Sequence, residues 1–150
     1  MPVIMLNYSF KIVGASMKID HEYLKGLLVA FEESDRPVTN IRELKEKGFD
    51  YNVDQFVFHM RLLDDRDLIS QPDGGFGFGL QVSVDGFYSW AVVPLRLTAE
   101  GHDFLEAIRN KEVWSTLKTG FKDASIGTLV TVSKELFNRA LAKQLDKHFE

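Results

Sequence analysis

The segment from Pro72 to Leu97 reads as a β-hairpin set inside an otherwise helical chain, and this constrains the fold more than any other feature. Pro72-Asp73-Gly74-Gly75 is turn or loop chemistry. From Gly77 to Val84 the pattern alternates, with Leu80, Val82 and Val84 against Gln81 and Ser83. Asp85-Gly86 is then a two-residue hairpin signal. Phe87 to Leu97 returns as a strand, with Trp90 and Val92 on one face and Ala91, Val93 and Leu95 on the other. Pro94 has no N–H for a ladder and marks an edge or a bulge. Leu68-Ile69-Ser70 is a short first strand before this unit.

Three helices are expected ahead of the hairpin. Asp20 caps the first, which runs to Ser34 with Tyr23, Leu24, Leu27, Leu28 and Phe31 at helical spacing. Asp35-Arg36-Pro37 ends it, because proline disfavours helix in the residue before it. Thr39 or Asn40 caps a short second helix to Lys47, with Ile41 and Leu44 inward and Gly48 as its stop. Asn52 opens a third helix to about Asp65, whose core stripe is Val53, Phe56, Val57, Met60 and Leu63. After the hairpin, Thr98 caps a fourth helix through Arg109 and Asn110 caps a fifth. Ser125 to about His148 is one long helix, with a β-branched middle from Thr128 to Val132 that weakens the helical preference.

Helix, helix, helix, hairpin, helix is the element order of an α+β, winged helix-turn-helix-like fold, with the hairpin as the wing and additional C-terminal helices. Residues 17–110 would form that domain, and 111–150 a helical extension packing on it or on a second copy. Met17-Lys18-Ile19-Asp20 resembles a natural protein start directly before a helix, so residues 1–16 are read either as native chain or as an N-terminal extension outside the native structure. At 45% hydrophobic and 12% aromatic, the 150 residues can bury a core, which argues against disorder. Cysteine is absent, which excludes disulfides and thiolate chemistry and fits a reducing cytoplasm. No apolar run approaches the roughly 18–20 residues of a membrane helix.

The net charge is −4, and no segment is strongly basic. Residues 17–70 hold 8 basic and 12 acidic side chains, and 98–150 hold 8 of each. Phosphate neutralisation supplies most non-specific DNA affinity, so this balance counts against a free-standing DNA binder.

Leu97-Thr98-Ala99-Glu100-Gly101-His102 resembles the Leu-Thr-x-x-Gly step at the exit of the wing in many winged-helix regulators. The longer run from Arg96 through Trp114, taken with Phe58-His59-Met60-Arg61-Leu62-Leu63, resembles domain-of-unknown-function family 2513, an uncharacterised bacterial and prophage family. The resemblance covers about residues 17–145. It implies a winged-helix-like fold and carriage on phages and mobile elements, and it brings no activity or catalytic residue. Where such proteins often read Ala-Gly-Leu after the third helix, this chain has Asp65-Arg66-Asp67-Leu68, a more charged turn.

No catalytic centre, metal site or cofactor is expected. The four histidines, His21, His59, His102 and His148, make no ligand pair. His102, Asp103 and Glu106 are better read as a helix start with solvated carboxylates than as a metal half-site. The glycine-rich run from Gly74 to Gly79 lacks the Lys-Ser/Thr and the following helix of a phosphate loop. It is expected at the wing tip, with Phe76 and Phe78 either folded onto the sheet or free to press into a groove or partner.

The third helix is the most informative segment. Its outer face holds Asp54, Gln55, Phe58, His59, Leu62, Asp65 and Arg66, with Arg61 at the flank. A DNA-reading helix needs basic and amide side chains there. Gln55, His59, Arg61 and Arg66, with Arg42 and Lys45 of the second helix, are the candidate DNA contacts. Asp54 and Asp65 would repel phosphate, and Phe58 and Leu62 form an apolar pair that a solvated helix has little reason to expose. The expectation is therefore a non-enzymatic interaction or regulatory protein of phage or mobile-element type. It would bind a protein partner, or itself as a homodimer through the C-terminal helix. A winged-helix transcriptional regulator is the alternative, and no membrane is involved.

Overall fold

A computed structural model describes residues 17–149; the expected extension over 1–16 lies outside the described residues. The order is α1 (His21–Glu32), α2 (Ile41–Glu46), α3 (Asp54–Asp65), β1 (Ile69–Ser70), β2 (Leu80–Val82), β3 (Tyr88–Trp90), β4 (Arg96–Leu97), α4 (Ala99–Arg109), α5 (Lys111–Gly120) and α6 (Ile126–His148). It is an α+β arrangement of six helices and small antiparallel sheets among the described residues.

Side-chain caps set most helix starts. Asp20 Oδ1 accepts from the Tyr23 N–H (3.0 Å), Asn40 Oδ1 from Arg42 and Glu43, Asn110 Oδ1 from Glu112 and Val113, and Ser125 Oγ from Thr128. Each satisfies amide groups that a first turn leaves without an intrahelical partner. The expected opening of α3 at Asn52, which would put Asn52 at the cap position, is corrected. Val53 occupies that position without a side-chain bond, and the Asn52 N–H is held instead by Asp50 Oδ1 at 2.9 Å.

The end of α3 answers the question of the charged turn. Asp67 is the one non-glycine residue at positive φ (55°) among the described residues. The Leu68 N–H returns to the Leu63 carbonyl at 2.9 Å. This is a Schellman close, with Asp67 where glycine is usual. Aspartate is among the few side chains that tolerate the left-handed region.

Strand pairing is more interrupted than the alternation suggests. β2 and β3 form the hairpin, in the register Leu80↔Trp90, Gln81↔Ser89, Val82↔Tyr88. The connection is a three-residue loop, Val84-Asp85-Gly86, and not the two-residue Asp85-Gly86 turn. Ser83 and Phe87 close it (Ser83 N–H to Phe87 O, 2.9 Å), and Gly86 sits at φ +87°. That is the type I turn with a left-handed third residue. The expected continuous strand Phe87–Leu97 breaks after Ala91, whose N–H donates to the Gly79 carbonyl at 2.8 Å, and pairing resumes only at Leu95, beyond Pro94.

Residues 95–97 are the middle of a second small sheet. Leu95 exchanges both backbone hydrogen bonds with Thr39, at 2.8 Å each, and β4 pairs on its other edge with β1 (Ile69↔Leu97, Ser70↔Arg96). Successive backbone groups point to opposite edges, so Thr39 and β1 flank this strand.

One apolar cluster runs through every helix. It joins Leu24, Leu27 and Leu28 of α1, Ile41 and Leu44 of α2 and Phe56, Met60 and Leu63 of α3. It continues through Leu68, Ile69, Leu95 and Leu97 into Phe104, Leu105 and Ile108 of α4, Val113 and Leu117 of α5, and Ile126 and Leu129 of α6. Each such side chain contributes about 1.5–3 kcal/mol by leaving water. Exposed ion pairs, Arg109–Glu32 at 2.6 Å and Lys118–Glu22 at 3.0 Å, tie α1 to α4 and α5 and add little beside this.

Gly101, in the first turn of α4, allows the closest approach in the core. A Cβ there would lie 2.2 Å from the Leu68 carbonyl oxygen. Gly101→Ala should cost about 1–3 kcal/mol through forced displacement of that backbone. At Gly120, the end of α5, a Cβ meets nothing within 4 Å, and Gly120→Ala should be neutral or stabilising by up to about 1 kcal/mol. Urea unfolding of the two variants checks the contrast.

Candidate interaction face

The candidate face is the outer side of α3 with the segments beside it. His59 is not on it. Its ring is 1% exposed, which corrects its place among the expected DNA contacts. Nδ1 lies 2.8 Å from the Gln55 carbonyl and therefore carries the hydrogen, while Nε2 accepts the Asp20 N–H at 3.0 Å. The imidazole thus joins α3 to the residue that caps α1. Tyr23 leans on it at 4.7 Å between ring centroids, and the Phe58 ring meets its edge at 5.2 Å. Burial pushes its pKa down, against the smaller opposing pull of the Gln55 carbonyl and Asp20.

Phe58 and Leu62 do lie on the outer face, and each is half-buried. They line an open groove of about 300 Å³ whose other walls are Met17 to Ile19 and the stretch Lys122 to Ile126 leading into α6. The C-terminal part of the chain therefore covers this face in part.

The candidate cationic residues are dispersed. Arg61 is exposed on α3 and Arg66 at its C-cap, Gln55 is half-buried, and Arg42 and Lys45 are exposed on α2. Lys45 Nζ sits 5.4 Å from the centre of the Tyr51 ring. The Arg66 guanidinium lies over Gly127, where its carbon would be 3.5 Å from an added Cβ. Asp64, Asp65 and Asp67 gather at the C-terminal end of α3, where the helix dipole already disfavours anions. Burial first, and then its acidic neighbours Asp65 and Asp67, raise the Asp64 pKa.

The hairpin is anchored to the start of this face by a contact the sequence did not signal. The Tyr88 hydroxyl on β3 donates to the Asp54 carboxylate, across 34 residues. Burial and this bond hold the Tyr88 pKa above the ordinary phenol value. The expected placement of Phe76 and Phe78 at the wing tip is also corrected, while of the two alternatives the one folded onto the sheet holds for Phe78. Phe78 is 5% exposed and packs 6.0 Å from Trp90, as part of the core. Phe76 is 98% exposed, but on the loop between β1 and β2, where Gln71 Nε2 donates to its carbonyl at 2.9 Å; the hairpin tip is Val84–Gly86.

Among the described residues no group of three or more His, Cys, Asp or Glu could hold a metal ion, and no helix is long and apolar enough to cross a membrane. His102, Asp103 and Glu106 are all exposed at the start of α4.

The family described as "Hypothetical protein (DUF2513)" matches residues 18–127, and the chain belongs to that family. A Haemophilus influenzae protein described as "Uncharacterized protein" is 23% identical over 129 residues, covering 86% of this chain and 99% of its own length. No solved structure matches.

The buried neutral His59 makes a pH prediction. Its folded pKa lies below the roughly 6.5 of an exposed imidazole, so over that interval the unfolded chain binds the additional proton. The stability due to His59 is complete above about pH 7 and is lost as pH falls through 6.5 towards the folded value. His59→Gln should cost about 1–3 kcal/mol near pH 7.5, and the gap to the native chain should narrow towards pH 5.5. Urea unfolding of both chains across that range checks it, a constant gap being the contrary result.

Proposed function

We propose that this chain is a non-enzymatic interaction protein that uses a winged-helix scaffold to bind a protein partner at the outer face of α3. Three features support the scaffold reading: three helices precede the hairpin, Thr39 between α1 and α2 pairs with the strand that leaves the hairpin, and Thr98 caps the next helix. They are arguments from fold, and fold alone assigns no function. Carriage on phages or mobile elements rests on the family resemblance.

One observation carries the protein-binding reading. The apolar pair Phe58 and Leu62 opens into a groove on the face that would read DNA, with three aspartates at the end of the same helix. Buried apolar patches with polar rims are what protein interfaces offer. A phosphate backbone needs the opposite balance. The withdrawal of His59 removes a side chain that could reach a base edge.

The competing reading is a winged-helix DNA-binding regulator. The exposed guanidinium groups of Arg61 and Arg66 and the exposed Arg42 and Lys45 are what favour it.

A photo-crosslinking amino acid at position 58, in the native host, should trap a protein and no DNA, while the same group at exposed Thr116 should not. Leu62→Asp should abolish capture. The DNA reading instead requires a complex with genomic fragments at low salt that is lost steeply between about 50 and about 200 mM. Crosslinks to DNA at position 58 with that salt dependence would reverse the assignment.

A further inference from the structure

A pocket of about 160 Å³ lies where α1 ends, against β4 and the first turn of α4, and it sits where a backbone ladder stops. Leu95 exchanges both backbone hydrogen bonds with Thr39, and this bridge is isolated. In antiparallel register the next such pair would be Leu97 with Pro37. Proline has no N–H to give, and no second pair forms. The Leu97 amide cannot turn to β1 instead. The Thr98 N–H bonds the Leu68 carbonyl at 3.0 Å, so the Leu97 N–H, one residue back, points to the opposite edge of the strand. Pro37 and Leu97 both line the pocket. Leu97 is 3% exposed, and among the described residues its N–H has no hydrogen-bond acceptor. Buried backbone donors are nearly always paired, so this one calls for an acceptor from outside the chain.

The charge around this amide is positive. Glu32 is the one acid in the lining, and both its oxygens are held by the Arg109 guanidinium, at 2.6 and 2.8 Å. The carbonyls of Thr39 and Leu95 already accept each other's amides. Against these stand Arg36, Arg96 and His102. Arg36 meets Glu43 at 3.5 Å, in a surface pair that water weakens. Arg96 and His102 belong to no ion pair among the described residues, and the Arg96 guanidinium donates to the Ser70 hydroxyl at 3.3 Å. The acids nearest in sequence to His102, Glu100 and Asp103, line a separate groove towards α6. The lining therefore combines a buried N–H with two guanidinium groups and an imidazole, while its single carboxylate is neutralised.

We propose that this pocket binds a small oxyanion of phosphate size, held by the Leu97 N–H at its floor and by Arg36 and His102 at its mouth, with Arg96 adding charge at the rim. Leu97 is buried and the three basic side chains are exposed, which sets that order. A hydrogen bond to an anion is roughly twice as strong as one between neutral groups, and a guanidinium matches two oxygens of a phosphate at once. A water molecule could accept from Leu97 but would gain nothing from the surrounding charge. The pocket is smaller than the roughly 300–1,000 Å³ of sites that enclose a drug-sized ligand. It therefore takes the charged group and leaves any attached organic part outside, so a free phosphate ion and a phosphomonoester present the same chemistry to it. No residue of α3 lines this pocket, and the site is independent of the protein-binding face.

Proton–nitrogen amide spectra of the full chain, titrated with sodium phosphate against sodium chloride at matched ionic strength, test this. Phosphate should move the Leu97 amide proton downfield and saturate, and chloride should not. Arg36→Ala should weaken binding roughly tenfold or more, as the loss of a charge-assisted hydrogen bond requires, and Arg36→Lys should recover part of it. His102→Ala should weaken it in the same direction. Both side chains are exposed, so the thermal melts of these variants should match that of the native chain. Glycerol 3-phosphate in place of phosphate separates the two sources. Tighter binding of the ester identifies a phosphomonoester as the ligand, and equal or weaker binding identifies the free ion. A Leu97 amide that stays still, shifts without saturating, or responds equally to chloride overturns the proposal. So does saturable binding that neither Arg36→Ala nor His102→Ala weakens. Crosslinking at position 58 reports on the α3 face and is unaffected by any of these results.

Discussion

The end of α3 and the start of α4 are built on one small set of backbone atoms around Leu68. Its carbonyl accepts the Thr98 N–H at 3.0 Å, and the Thr98 hydroxyl donates to the neighbouring Asp67 carbonyl at 2.7 Å while accepting the Gly101 N–H at 3.1 Å. Gly101 then brings the first turn of α4 against the Leu68 carbonyl at a distance no side chain would permit. Asp67 must take its left-handed turn for β1 to start in line with β4, and Thr98 must leave β4 for α4 to cap correctly. These requirements meet at the same atoms. They fix where the hairpin leaves the helical body, and α4 in turn is the platform on which α1, α5 and α6 pack.

Much of this was legible in the sequence because capping is local chemistry. Asp20, Asn40, Thr98, Asn110 and Ser125 each bond amides two or three residues away, so residue type and position suffice. Some of the corrections fall where the deciding contact is distant, others within a single turn or strand. His59 lies at the edge of the core stripe of α3, where the wheel alone does not decide burial, and the Asp20 backbone from the start of α1 completes its bonding. For Phe78 the sequence left two places open, folded onto the sheet or free, and Trp90 across the hairpin decides for the first by taking it into the core. The strand expected over Phe87–Leu97 failed beside Pro94, whose effect was anticipated as an edge or bulge but proved a full interruption. Dipeptide preference gave a two-residue turn at Asp85-Gly86, whereas the pairing of Ser83 with Phe87 leaves three residues in the loop.

The Phe58 and Leu62 pair shows what a helical wheel can and cannot supply. It placed both opposite the core, as observed. Their covering came from the residue 122–126 stretch and from residues 17–19, neither of which has a periodicity that points at α3. The Tyr88–Asp54 bond is of the same kind, a contact 34 residues apart with no local mark. It also alters the electrostatic reading of the face, since Asp54 bonds the hairpin and does not stand as a bare charge at the helix start.

α6 joins the α3 groove to an exposed helical face. Its N-cap and first turn, Ser125 and Ile126, close one side of the α3 groove, and Gly127 lies beneath the Arg66 guanidinium of α3. Its middle, through Leu129 and Ser133, is buried in the body, and its distal half carries the exposed leucines. Twenty-three residues of helix span about 34 Å. With one end in the α3 groove and the middle fixed by the core, the direction of the free half is set by packing. The β-branched stretch Thr128–Val132, which weakens helical preference locally, falls in the part that the body holds. The exposed half needs its own propensity, and there alanine, leucine, lysine and glutamine predominate. Tertiary contact carries the weak helical segment and composition carries the exposed one, so the exposed leucines project from an ordered helix.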